Sequence, residues 1–189
     1  DSESTSTSII ISSTSENVSA SSSSSSDDID ESSVKQNFAK YHQEIDSWGT
    51  PEQFVNNCGN ITGDNYHSYK DEAYGKYEKV KKAAYETYEK IKDNASKTYE
   101  KIKDEASEKY EKAKEDASEK YQSNSIEYSE YSDIVSKIYE EYSSAQSKAY
   151  DNYSSAQSDA YDEYNDIQSK AYDWYNDVQS LLYDKAFGN

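Results

Sequence analysis

Residues 97–121 read KTYEKIKDEASEKYEKAKEDASEKY, and the spacing inside this stretch decides the fold. Tyr99, Tyr110 and Tyr121 stand eleven residues apart. Ile102 and Ala106 follow the first of them, and Ala113 and Ala117 the second, in steps of three, four and four residues. At about 100° per residue, eleven residues make three helical turns with about 20° left over, so one apolar stripe stays on one face and drifts slowly. Outward from this stretch the register runs back through Tyr88, Tyr77 and Tyr66. A second series with the same spacing follows at Tyr131, Tyr142, Tyr153, Tyr164 and Tyr175. The pattern predicts an all-α chain built mainly from two long amphipathic helices, with no sheet.

Composition agrees with a chain that works along a surface. The 189 residues carry a net charge of −18 and 21 tyrosines, with leucine only at Leu181 and Leu182 and neither arginine nor methionine. The charge divides the chain. Residues 1–69 hold 2 Lys against 11 acids, residues 70–121 hold 14 against 14, and residues 122–189 hold 4 against 13, so a zwitterionic middle lies between acidic flanks. No apolar run approaches the roughly 18 to 20 residues of a membrane span. A start at Asp1 without an initiator methionine reads as trimming by a signal peptidase, by another protease or by design. The single cysteine, Cys58, excludes an internal disulfide, leaving a quiet thiol or an intermolecular bridge.

Residues 1–33 are rich in Ser and Thr, with a six-serine run at 21–26 followed by Asp27, Asp28, Asp30 and Glu31. They read as a disordered acidic tail, because they hold too little apolar surface to offset ordering. Its serines suit an acid-directed kinase, O-glycosylation or a plain spacer. Residues 34–65 read as a small helical head and linker. Val34, Phe38, Tyr41, Ile45 and Trp48 sit at helical spacing before Gly49. Thr50, Pro51 and Gln53 then form the cap, first position and capping-box partner of a short second helix. Asp64 or Asn65 is placed to cap the long helix that follows.

Residues 66–121 form the Lys/Glu-rich repeat helix. Its stripe carries Tyr88, Ile91 and Ala95, then Tyr99, Ile102 and Ala106, then Tyr110, Ala113 and Ala117, a narrow band for a core-facing surface. Lys70, Lys81, Lys92, Lys103 and Lys114 line one border of it. Lysines at an apolar border are the arrangement of helices that lie on lipid, stems over acyl chains and charges at phosphate. Glu-to-Lys pairs four apart, such as Glu78 with Lys82 and Glu105 with Lys109, equally suit a solvated helix or one with a helical partner. Each repeat buries a Tyr, an Ile and an Ala, about 3 to 5 kcal/mol, against about 10 to 20 kcal/mol for fixing eleven backbones before hydrogen bonds. The helix therefore needs a partner, a surface or dehydration.

The run from Lys97 to Tyr121 resembles the eleven-residue repeats of group 3 late-embryogenesis-abundant proteins, which alternate Ala with Lys, Glu and Asp in this register. The likeness covers residues 66–121 and, more loosely, 128–186, with tyrosine where that family commonly has small or aliphatic residues. It implies a hydrophilic chain, poorly ordered in dilute water and helical on drying or on membranes, that shields proteins and bilayers under water stress.

Residues 122–127 break the register, since Tyr121 and Tyr131 are ten apart, and Asn124 or Ser125 reads as a new N-cap. Residues 128–189 form the acidic Tyr-rich helix. Its stripe is Tyr142, Ala145 and Ala149, then Tyr153, Ala156 and Ala160, then Tyr164, Ile167 and Ala171, then Tyr175, Val178 and Leu182, widened by a second column at Tyr139, Tyr150, Tyr161, Tyr172 and Tyr183. Gln146, Gln157, Gln168 and Gln179 replace the border lysines. Such a face is repelled by anionic lipid and suits helix packing. Two segments of nearly equal length around a short break predict an antiparallel hairpin, with Tyr88 and Tyr99 meeting Tyr153, Tyr164 and Tyr175, and border lysines meeting Asp162, Glu163 and Asp173.

No catalytic constellation stands out, and we expect no enzyme activity, no cofactor, no metal and no small-molecule substrate. Cys58, Asp64 and His67 make at best an incomplete metal site. The charge of −18 argues against nucleic acid. Four sequons, at Asn17, Asn60, Asn94 and Asn152, are near the roughly three that chance supplies in so Ser-rich a chain. They do not fix the compartment, and a secreted or cell-envelope setting is favoured over a cytoplasmic one. The partners expected are a membrane surface, other proteins or a second copy. The function expected is stress protection by helices that form on drying or on membrane or protein surfaces. The alternative is a structural coiled-coil or hairpin protein of an envelope or matrix.

Overall fold

A computed structural model describes residues 30–188, and the expectation of a disordered tail lies, up to residue 29, outside the described residues. Four helices follow one another: α1 (Glu31–Ser47), α2 (Pro51–Asn57), α3 (Tyr66–Gln122) and α4 (Tyr128–Phe187). No strand occurs among the described residues. The last three residues assigned to the tail, 31–33, are helical instead. Asp30 is the reason: its carboxylate accepts from Ser33 N at 2.7 Å and caps the first turn of α1.

α3 and α4 are the antiparallel hairpin. At about 1.5 Å per residue their 57 and 60 residues make rods of about 85 to 90 Å. The turn between them differs in detail from the sequence reading. Asn124 does not cap α4; it ends α3, at φ +52°. The amide of Ser125 reaches Lys120 O at 2.8 Å and that of Asn124 reaches Tyr121 O at 3.0 Å, which closes the last turn of α3. Asn tolerates the left-handed conformation this requires, so Glu127, without a side-chain cap, occupies the N-cap of α4.

The head packs on the open end of the hairpin. Val34, Phe38, Tyr41 and Ile45 form one buried face of α1, seated in a core with Val80 and Ala84 of α3 and Ile167, Ala171 and Val178 of α4. Tyr41 Oη donates to Ala83 O at 2.8 Å while Glu44 meets Lys79 at 3.3 Å. His42 meets Glu163 at 3.2 Å while Asp46 meets Lys170 at 2.8 Å. Partners descend α3 and ascend α4 as α1 advances, so α1 runs antiparallel to the first and parallel to the second. Gly49 stops α1 at φ +73°, and its carbonyl accepts from Trp174 Nε1 at 2.9 Å. Trp48 and Phe54 close on the same indole at 4.8 and 5.3 Å. The capping box of Thr50 and Gln53 forms as the sequence predicts. Asn65 holds the N-cap position of α3 but turns its side chain to Thr62 N and Asn60 O, ordering the linker and leaving the helix amides alone.

The hairpin therefore has two halves. Near the head, three helices enclose aliphatic residues. Toward the turn, two helices meet alone through Ala95, Ala106, Ala117, Ala149 and Ala156 and the tyrosines between them.

Candidate functional site: a ladder of tyrosines

The two stripes meet ring on ring. Tyr77 lies against Tyr175 at 6.1 Å between ring centres, Tyr88 against Tyr164 at 6.1 Å, and Tyr99 against Tyr153 at 5.7 Å. Tyr110 lies against Tyr142 at 5.0 Å and Tyr121 against Tyr131 at 5.2 Å. Each step of eleven residues up α3 is a step of eleven down α4, so a shared period keeps the pairing in register. Rungs repeat about every 16 Å along the rod. The second column joins each rung edge-on or tilted: Tyr172 on Tyr77, Tyr161 on Tyr88, Tyr150 on Tyr99, Tyr139 on Tyr110 and Tyr128 on Tyr121, at 5.5 to 6.4 Å. Offset and edge-to-face pairs of this kind are worth about 0.5 to 1.5 kcal/mol each beyond the area they bury. At the open end Tyr66 takes Tyr183 and Phe187, and Gly63 approaches so closely that an added Cβ would lie 2.9 Å from the Phe187 ring.

The border lysines are part of the rungs. Lys81, Lys92, Lys103 and Lys114 lie over the rings of Tyr77, Tyr88, Tyr99 and Tyr110 at 5.2 to 5.6 Å. The same ammonium groups meet Glu78, Glu89, Glu100 and Glu111 at 3.1, 3.3, 2.7 and 3.9 Å. The unit is Tyr-Glu-x-x-Lys, with ring and carboxylate both facing one ammonium. The pairs thus run three residues apart, where the sequence suggested four, and Asp162 and Asp173 stay on the exposed side of α4. Glu163 goes to His42 of α1. A glutamate already on the same face, one turn away, is the nearer partner. Lys70 departs from the pattern, because His67 stands where the other units have glutamate. In α4, glutamine takes the lysine's place, and Gln146 Nε2 donates to Tyr142 Oη at 2.7 Å.

Electrostatics follow the geometry. Burial raises the phenols of Tyr164 and Tyr175 above the ordinary 10.0. Hydrogen bonds to Glu78, Glu89 and Glu100 raise the ammonium groups of Lys81, Lys92 and Lys103 above 10.5. Burial also raises the thiol of Cys58, which donates to Phe54 O at 3.3 Å and is a poor thiolate as a result.

The sequence reading picked out Tyr88, Tyr99, Tyr110, Tyr142, Tyr153, Tyr164 and Tyr175; the structure pairs six of them with one another across the hairpin, and Tyr175 with Tyr77. It passed over Tyr74 and Tyr85, which lie 5.4 and 5.5 Å from Tyr175 and Tyr164. Their signal was present: each stands three residues before a stripe tyrosine, as the second column of α4 does. A shallow cleft of about 200 Å³ opens between Ala106, Tyr110 and Ala113 on one helix and Ile138, Tyr142 and Ala145 on the other, with Lys109 and Glu141 also lining it. Among the described residues no group of three or more His, Cys, Asp or Glu could hold a metal ion, and no helix is long and apolar enough to cross a membrane. Comparison of the chain with protein-family models, curated proteins and solved structures gave no match.

Proposed function

We propose that the chain is a non-enzymatic structural element, a preformed helical hairpin that serves as a stiff strut about 85 to 90 Å long in an extracellular or envelope setting. The constant register of the aromatic rungs supports this reading above all. Stripe residues that would otherwise need an outside partner find one within the molecule, and Lys81, Lys92, Lys103 and Lys114 of the stripe's border are engaged by rings and glutamates of the same helix. Small buried alanines and stacked rings favour a fixed separation between the helices over a labile surface film.

Stress protection of the late-embryogenesis-abundant kind is the second reading. Nine tyrosines, among them Tyr139, Tyr150 and Tyr161, stay half-exposed along the outer edge of the ladder. Rings with an apolar body and a polar tip suit contact with client proteins or a bilayer headgroup region under water stress. Far-UV circular dichroism in dilute buffer separates the two. A strut is strongly helical before any addition and melts cooperatively. A protectant gains most of its helix only with anionic vesicles or on drying, and that outcome would retire the strut.

A further inference from the structure

At the turn end the last rung keeps the three-ring geometry of the others but is more exposed. Tyr121 stacks on Tyr131 at 5.2 Å and meets Tyr128 at 6.0 Å, while Tyr128 and Tyr131 lie 6.3 Å apart. Three phenols thus crowd one site. In the other rungs every tyrosine pair that spans the two helices has at least one member mostly covered, but Tyr121 and Tyr128 are 41% and 65% exposed. They also sit at helix ends, one residue before the last of α3 and at the first of α4, where backbone and side chain can shift without disturbing a packed repeat.

We propose that Tyr121 and Tyr128 form an oxidative cross-linking site, at which a haem peroxidase using hydrogen peroxide joins the two phenols into dityrosine and closes the turn of the hairpin covalently. One electron and one proton leave each phenol, giving two phenoxyl radicals. These couple through their ortho carbons, and the two ortho hydrogens move to the oxygens, restoring both phenols around a new carbon–carbon bond. The protein loses two hydrogen atoms, and one peroxide takes up the two electrons and two protons to become two waters. Radicals held 6.0 Å apart couple far faster than radicals that must meet by diffusion. The chain offers no repair nearby: it has no methionine, and Cys58, Trp48 and Trp174 lie at the opposite end of the rod. The inference requires the hairpin but not the strut reading, since a protectant that folds the same way would carry the same site.

The test is to treat the folded, dilute protein with horseradish peroxidase and stoichiometric peroxide, then follow dityrosine fluorescence and map cross-linked peptides by mass. The expected product is a monomer lighter by two hydrogens, with Tyr121 joined to Tyr128. Tyr121→Phe and Tyr128→Phe, each confirmed helical by circular dichroism, should each lower the initial dityrosine yield at least fivefold, whereas Tyr150→Phe should leave it within twofold. Coupling spread over several rungs, coupling mainly between chains, or no dityrosine in a protein shown to be helical would each overturn the site. Absence of helix before oxidation would overturn the hairpin itself.

Discussion

At the scale of single residues the ladder depends on one side chain serving two contacts. An ammonium group four residues after a tyrosine reaches over that ring, and the glutamate beside the tyrosine meets the same charge. The sequence showed the lysines at the border of the stripe but not their purpose, because a lysine beside an apolar band can snorkel over lipid or fold back over an aromatic ring. In the folded hairpin, Lys81, Lys92, Lys103 and Lys114 lie over rings of their own helix. Ring-on-ring energy is measurable directly. In a double-mutant cycle of Tyr99→Leu and Tyr153→Leu, thermal or urea unfolding should give a coupling energy of about 0.5 to 1.5 kcal/mol, and additive losses would mean the rings contribute only buried area. Alkali supplies a second check. Tyr164 and Tyr175 have phenols raised above 10.0, and Lys81, Lys92 and Lys103 have ammonium groups raised above 10.5. A raised folded value means the contribution is complete below the unfolded value and is lost as pH climbs through the folded one. The melting temperature should hold from about pH 7 to 9 and fall above about pH 10, less steeply in Tyr164→Phe, and a melting temperature indifferent to alkali would contradict the ladder.

At the scale of elements, the sequence exposed the lengths, the faces and the pairing of the two tyrosine stripes, but not where the head docks. Eleven-residue spacing gave α3 and α4, and Thr50 with Gln53 gave the start of α2. The seating of α1 was hidden, because its single apolar face carries no mark of where it docks; the indole of Trp174 meeting the Gly49 carbonyl emerges only in space. Asn124 was misread for a physical reason. Asn serves as an N-cap and as a left-handed C-terminal residue, and a sequence cannot show φ. Packing makes the two halves of the hairpin unequal. Ile167 is fully buried where three helices meet, whereas Ile102 is half-buried where only two do. Ile167→Ala should cost about 2 to 5 kcal/mol in denaturant unfolding, and Ile102→Ala clearly less. Native-state hydrogen exchange should show amides near the turn opening before those beside α1, and uniform protection along α3 would contradict this division.

At the scale of the whole molecule, the ten-residue interval between Tyr121 and Tyr131 is what turns two repeat helices into a register. It was legible as a break, and nearly equal lengths on either side of it predicted the hairpin; the left-handed turn at Asn124 that closes it was not legible. The central claim is that α3 and α4 lie antiparallel in this register in solution, without lipid or drying. Asp104 and Lys148 test it, since they stand five residues beyond Tyr99 and five before Tyr153, both exposed. With Cys58→Ser as background, nitroxides at these two positions are read by pulsed electron spin resonance in dilute buffer. Packed helix axes lie about 8 to 10 Å apart, so a narrow distribution between about 10 and 25 Å, label arms included, is the result the hairpin predicts. A single continuous helix would place the labels about 66 Å apart. A distribution centred there, or one that is broad until vesicles are added, would contradict the hairpin.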